Sequence, residues 1–197
     1  MHGDVVTRIV AGTAGGRRLR TPDGDRTRPT SDRVREALFS TVESMVGVWD
    51  GLHVLDLYAG SGALGLESLS RGAERVVFVE SHRRTATLIE TNARELELAE
   101  AVVLAEPVRA FLRRGRRAEG FDLVFSDPPY ALPGVEVHAG LAALVEGSWL
   151  NDAAVVAVER GRRSEDLVWP PGLEPVRSRT YGETTLWYGR QFDTPSQ

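Results

Sequence analysis

Residues 52–58 are a short apolar segment that runs directly into Ala59-Gly60-Ser61-Gly62-Ala63-Leu64-Gly65, and no other stretch constrains the fold as much. The spacing is G-x-G-x-x-G between an expected strand and an expected helix, the setting in which it carries meaning. Glycines allow a sharp turn and let another group approach the backbone closely. The first N–H groups of the following helix have no intrahelical partner, and their field favours negative groups. A chain that contains such a unit is committed to a βαβ arrangement.

The segments after it continue that pattern. Strands are expected over 54–58, 75–79, 102–105, 123–126 and 153–159, and helices over 64–71, 84–98, 108–116 and 135–145. Short apolar strands separated by helices imply a parallel sheet covered on both faces. The end differs: residues 175–180 and 184–190, joined through Tyr181-Gly182-Glu183, read as an antiparallel hairpin. Ahead of the βα region, residues 8–20 read as a second hairpin around Gly12, Gly15 and Gly16, residues 21–30 as loop, and Thr30-Ser31-Asp32 as the cap of a helix reaching about Gly47. The fold expected is therefore α/β and Rossmann-like: a mostly parallel seven-stranded sheet with an antiparallel C-terminal hairpin and a small N-terminal β-hairpin extension. Residues 1–30 form the arm, 31–190 the main domain and 191–197 a tail.

Composition removes several alternatives. The chain has 197 residues and no cysteine, which excludes disulfides, thiolate metal sites and cysteine nucleophiles and suits a cytoplasmic protein. The longest apolar run, residues 153–158, falls far short of the ~20 residues of a membrane span. The N-terminal residues do not form a secretory signal. His2, His53, His82 and His138 show no metal-ligand spacing, so no metal is expected; nothing in the sequence asks for more than a monomer. The net charge is −4, and all basic residues are arginine. Residues 1–35 carry eight arginines against four aspartates, a net +4, so the remainder sums to −8. A positive arm on an acidic body is a candidate nucleic-acid contact.

The glycine turn is the first candidate site, with Tyr58, Gly60, Ser61 and Gly62 forming its wall. Glu80 ends the second strand 20 residues after Gly60, where an acid can accept hydrogen bonds from both ribose hydroxyls of a nucleotide-like ligand. That much fits NAD and S-adenosylmethionine equally. Asp56, four residues before Gly60, separates them. It can reach a ligand ammonium, which S-adenosylmethionine has, whereas it would repel the pyrophosphate of NAD. Glu106, after the third strand, can accept from an adenine amine; the following Pro107 has no N–H to add a second contact.

The second site is Asp127-Pro128-Pro129-Tyr130, directly after the fourth strand. Two prolines fix the backbone and hold the preceding residues extended. The resulting rigid loop offers acceptors, the Asp127 carboxylate and the Pro128 carbonyl. An exocyclic base amine has two N–H donors and a lone pair delocalised into its ring. Two fixed acceptors can draw that nitrogen toward tetrahedral geometry and aim its lone pair at a methyl group, a transfer governed by positioning and electrostatics. Tyr130 can stack on the base.

Four blocks together carry a resemblance: Arg8-Ile9-Val10-Ala11-Gly12; Arg28-Pro29-Thr30-Ser31-Asp32-Arg33-Val34-Arg35-Glu36-Ala37-Leu38-Phe39; Asp56 to Gly65; and Asp127 to Tyr130. The chain resembles the bacterial RsmD family, the 16S ribosomal RNA guanine-N2 methyltransferases. The resemblance implies a class I methyltransferase fold, S-adenosyl-L-methionine as cofactor and methylation of one guanine of 16S rRNA on an assembled or assembling small ribosomal subunit. It places Arg28, Thr30 and Arg33 near the mouth of the site, where they can meet RNA, and Arg17, Arg18 and Arg20 on the arm as candidate phosphate contacts. A target guanine in folded RNA must be unstacked to enter. Glu106-Pro107 is the chief departure from the family pattern.

Two other readings remain open at this point: amino-methylation of adenine N6 or of a protein glutamine, where Asp127 in place of asparagine argues against glutamine, and an NAD-dependent oxidoreductase, which leaves Asp127 to Tyr130 unexplained. Trp149, Trp169 and Trp187 read as packing residues, with Trp187 and Tyr188 also candidates to line a base pocket.

Overall fold

The computed structural model describes residues 7–22, 32–116 and 119–192. The expected loop over 21–30 falls almost wholly outside this set, with Arg28 and Thr30, and so do residues 193–197 of the expected tail. Helix α1 (Asp32–Val46) precedes four βα units, a fifth strand and a closing hairpin: β1 (His53–Leu57), α2 (Ala63–Ser70), β2 (Arg75–Val79), α3 (Arg83–Glu95), β3 (Ala101–Leu104), α4 (Val108–Leu112), β4 (Phe121–Ser126), α5 (Gly134–Glu146), β5 (Leu150–Gly161), β6 (Leu173–Tyr181) and β7 (Thr184–Gln191). One seven-stranded sheet runs in the order β3-β2-β1-β4-β5-β7-β6. Its first five strands are parallel, and β7 lies antiparallel between β5 and β6. Order reverses at β1, and β4 follows β1 directly in the sheet, so the C-terminal ends of these two strands share the crevice where open α/β sheets bind ligands.

Alternation along the strands sorts the core into two layers. Val54, Phe78, Leu123, Phe125, Val155, Ala157, Leu186 and Tyr188 face α1, α2 and α3. Leu55, Leu57, Val79, Val124, Val156 and Val158 face α4 and α5. Phe39 of α1 sits against Phe125 and Trp49, with ring centroids 5.6 and 5.8 Å apart, and pins that helix to the sheet centre. Trp149 stacks on Phe111 in the second layer and donates its indole N–H to the Leu112 carbonyl, so it is core packing as expected.

Several boundaries differ from the sequence reading. Helix α3 stops at Glu95 rather than Leu98, because Glu97 turns left-handed and Leu98 N–H closes back on the Ala93 carbonyl. Helix α4 ends at Leu112 rather than Arg116, because Gly115 takes φ +66 and its N–H already returns to Leu112. Strand β5 begins three residues early, at Leu150; a register shift between Phe121 and Leu123 and a left-handed Ala153 let its pairing with β4 extend back past residue 153. Gln191, assigned to the tail, is the last residue of β7.

The arm is built into the core. Its described part has one isolated antiparallel bridge, Arg8 with Arg18. Ile9, Ala14 and Leu19 are buried in the α1–α3 layer. Glu67 of α2, 0% exposed, accepts the N–H groups of Val10 (2.6 Å) and Ala11 (2.9 Å) and the Nε of Arg71 (2.9 Å). At Gly12, φ +82, a Cβ would lie 1.8 Å from the Ser70 carbonyl oxygen, so only glycine lets the arm pass this close. Among the described residues no helix is long and apolar enough to cross a membrane, and no group of three or more histidine or acidic residues could hold a metal ion.

Candidate active site

The turn after β1 is a sequence of left-handed residues: Tyr58 at φ 59, Gly60 at 53 and Gly62 at 79. Gly62 caps α2 without a side chain. The third glycine has a packing role: a Cβ on Gly65 would lie 2.2 Å from the Phe78 ring, so glycine lets α2 rest directly on β2. Asp56, on the same face as Val54, is 2% exposed. Its Oδ2 accepts the Gly65 N–H at 2.9 Å, a structural role that the sequence reading did not include, and Oδ1 takes no hydrogen bond among the described residues. Burial pushes its carboxyl up to about 8; the Gly65 hydrogen bond opposes this, and the charge of Glu80 adds to it.

Glu80 closes the turn from β2. Its Oε2 accepts the Gly60 N–H at 3.0 Å and its Oε1 the His82 N–H at 2.7 Å, which fixes the carboxylate over the glycine turn. Glu106 follows β3 and pairs with Arg114 at 2.6 Å. Pro107 serves as the N-cap of α4, where a missing N–H costs the helix nothing and its carbonyl accepts from Ala110 and Phe111. The Tyr58 ring packs in the α4–α5 layer, so what it offers the turn is its backbone.

The Asp127–Tyr130 loop leaves the end of β4 beside this turn. Asp127 N–H donates to the Leu57 carbonyl of β1 at 3.4 Å, and Leu132 N–H returns to the Pro129 carbonyl at 2.8 Å. Pro128 is buried, Pro129 exposed, and Tyr130 is 52% exposed at the mouth. Asp127 is raised well above the usual carboxylate range by burial, then by the charges of Glu159 and Asp56. The loop rests on residues to which the sequence reading gave no role in the site: Glu159 at the end of an expected strand, and Arg160 and Gly161 just beyond it. Arg160, buried, donates to the Leu132 carbonyl at 3.0 Å. At Gly161 a Cβ would lie 3.1 Å from the Tyr130 ring, so the absent side chain is what gives that ring its seat. Glu159, 3% exposed, accepts from Thr184 Oγ1 at 3.4 Å. The available signal was positional: Ser126 pairs with Val158, which brings the residues following both strand positions side by side.

The arm arginines divide. Arg18 is exposed. Arg20 forms a two-pronged pair with Glu95 of α3, at 2.6 and 3.1 Å, and Arg17 donates to the Glu95 carbonyl. Arg33 is exposed in the first turn of α1. The arm reaches the glycine turn through Asn92 of α3, buried, which accepts the Arg20 N–H at 2.9 Å and donates to the Arg20 carbonyl at 3.0 Å and the Ser61 carbonyl at 3.2 Å. Trp187 and Tyr188 do not line the site: Tyr188 is fully buried under α1, and β-alternation turns Trp187 into the opposite layer. His53 lies at the other end of the sheet, 3.5 Å from Glu119.

A mixed seven-stranded sheet in this order, with a glycine turn ending β1 and an Asp-Pro-Pro-Tyr loop ending β4, is that of a class I methyltransferase. A putative methyltransferase, yhhF from Escherichia coli, superposes with a TM-score of 0.83 at 28% identity, covering 96% of this chain and 99% of that one. The family described as conserved hypothetical protein 95 matches residues 7–190. The putative rRNA methyltransferase YlbH of Bacillus subtilis is 35% identical over 180 residues, 90% of this chain and 95% of that protein. Ribosomal RNA small subunit methyltransferase D of Escherichia coli K12 is 36% identical over 152 residues, 77% of this chain and 73% of that protein. The chain belongs to this family, the RsmD methyltransferases, and the oxidoreductase alternative falls with that assignment.

Proposed function

We propose that this enzyme transfers a methyl group from S-adenosylmethionine to the exocyclic N2 of a guanine in 16S rRNA, acting as a monomer on an assembled or assembling small ribosomal subunit. The observation that carries the reading is the rigid Asp127–Tyr130 loop held beside the glycine turn by the Asp127–Leu57 backbone bond. The names of the relatives, ribosomal RNA small subunit methyltransferase D among them, support the substrate.

The residues at the turn fit the cofactor. Gly60 leaves the backbone open to close approach, Gly62 makes room for Ile89 and Leu66 beneath the turn, Glu80 is fixed where ribose hydroxyls can donate to it, and Asp56 keeps one oxygen for an ammonium group. Ser61 and the backbone of Tyr58 complete the wall, and Glu106 is the acceptor for an adenine amine. S-adenosylmethionine would supply an electrophilic methyl group there.

The chain's own residues handle the base. The Asp127 carboxyl and the Pro128 carbonyl accept the two amine hydrogens and orient the nitrogen. Pro128 and Pro129 keep those acceptors from relaxing, and Tyr130 covers the base face. The nitrogen becomes acidic only once methylated, and Asp127, raised well above the ordinary carboxylate range, is a ready acceptor for the released proton. The arm arginines Arg17, Arg18 and Arg20, with Arg28, Thr30 and Arg33 ahead of and within α1, meet RNA around the mouth. Arg17 and Arg20 would exchange their contacts with α3 for phosphates.

The test is methylation with labelled S-adenosylmethionine of small subunits from a strain lacking this gene, followed by mapping of the modified nucleotide. Label at a guanine N2 in 16S rRNA supports the reading; label on adenine or on ribosomal protein refutes it.

A further inference from the structure

An acceptor loop that holds an amine does not by itself choose between bases, since adenine and guanine both carry an exocyclic amine. The edges beside those amines differ. In guanine the neighbouring N1 bears a hydrogen and donates; in adenine the neighbouring N1 carries a lone pair and accepts. A site for guanine therefore needs a second acceptor next to the one that takes the amine, and that same acceptor repels adenine.

Such an acceptor is present. Asp127 follows β4 and Glu159 lies near the end of β5, and the pairing of Ser126 with Val158 sets them abreast. Both lie on the face of the sheet that carries Phe125, Val155 and Ala157. The two carboxyls are close enough that Glu159, after burial, contributes most to raising Asp127. Its side chain is steadied by Thr184 Oγ1 on β7, and the next two residues, Arg160 and Gly161, hold the Asp127–Tyr130 loop from below.

We propose that Glu159 restricts the enzyme to guanine by accepting the N1–H of the base whose N2 amine is held by Asp127 and Pro128. The inference rests on the guanine-N2 reading above. A carboxyl in either protonation state retains an oxygen that can accept, and one methyl transfer releases one proton, from N2, so the N1–H bond persists throughout. Sites built around a substrate donor reject analogues that lack it by large factors, because their buried acceptor is left facing the wrong group.

The test uses the full-length enzyme and small subunits in which the mapped target guanine is replaced by 2-aminopurine, which keeps the amine but has an unprotonated N1. The wild type is expected to favour guanine over 2-aminopurine by roughly 100-fold or more in kcat/KM. In Glu159→Gln, whose amide can donate to that N1, the preference should collapse to about tenfold or less. Affinity for S-adenosylhomocysteine, measured by calorimetry, should stay within a few fold and report an intact fold. A wild type that accepts both bases within a few fold overturns the proposal, and so does a glutamine variant that keeps the full preference. Should the variant not fold, the wild-type ratio alone decides. The mapping step separates this proposal from the reading beneath it: wild-type label on adenine overturns the guanine reading before any analogue is made.

Discussion

Replacing Asp56 by asparagine tests the electrostatics of the glycine turn. In the free protein burial pushes this carboxyl up to about 8, so it is protonated at pH 6 to 7. Pairing with a ligand ammonium favours the ionised form, and binding must then expel the proton. Each pH unit below the raised value costs about 1.4 kcal/mol. At pH 6 the cost is about 2.7 kcal/mol, or roughly 100-fold in affinity. Affinity for S-adenosylhomocysteine, which retains the ammonium, should rise about 25-fold between pH 6 and 7.5 and flatten above 8. The Asp56→Asn side chain keeps an acceptor for the Gly65 N–H but has no proton to lose, so the variant's profile should be flat over that range. Calorimetry in two buffers of different ionisation enthalpy would count the protons: about one released at pH 6 for the wild type, none for the variant. A pH-independent wild type, or an asparagine variant with the same slope, would refute the pairing. The sign for folding follows from the same shift. A raised acid binds a proton that the unfolded chain has lost, so its contribution is full below about 4 and falls as pH rises toward 8. The free protein should therefore lose thermal stability over that range more steeply than the Asp56→Asn variant.

Asp127→Ala should abolish transfer and leave S-adenosylhomocysteine affinity within a few fold; near-normal turnover would sink the acceptor-loop mechanism. Glu67→Gln puts an amide where three donors converge and should cost about 3 kcal/mol in urea unfolding, with faster hydrogen exchange at Val10 and Ala11; a loss under about 1 kcal/mol contradicts the clamp. Neutralising Arg17 and Arg18 together should weaken substrate binding and flatten its dependence on salt, and an unchanged slope removes the arm from the RNA interface. Gly161→Val should unseat Tyr130 and raise KM for the subunit about tenfold, with cofactor affinity unaffected; an unaltered KM means that the ring does no work on the base.

Much of this site is local in the chain, which is why it was legible. Asp56, the glycine turn and Glu80 sit in one βαβ unit, and Asp127 to Tyr130 follow their strand without a break, so strand ends alone bring them together. What escaped the sequence depends on contacts between distant residues. Glu159 and Gly161 gain meaning only from the register of β4 with β5. Glu67 reads as an ordinary polar position on a helix, and only the arm lying across α2 shows why a carboxylate is buried there. The early end of α4 came down to a single left-handed Gly115 inside an arginine-rich run that otherwise favours helix. Trp187 was drawn toward the base pocket by its composition, and strand alternation sends it the other way.

Asn92 has a consequence for how this enzyme can be divided. One side chain fastens Arg20 of the arm and Ser61 of the glycine turn, while Ile9, Ala14 and Leu19 complete the layer beneath. The arm is thus no detachable reader clipped onto a catalytic module. Cutting the chain before α1 would empty part of the core and leave the amide of Asn92 with one of its three bonds, so the smallest workable piece of this enzyme is very nearly all of it.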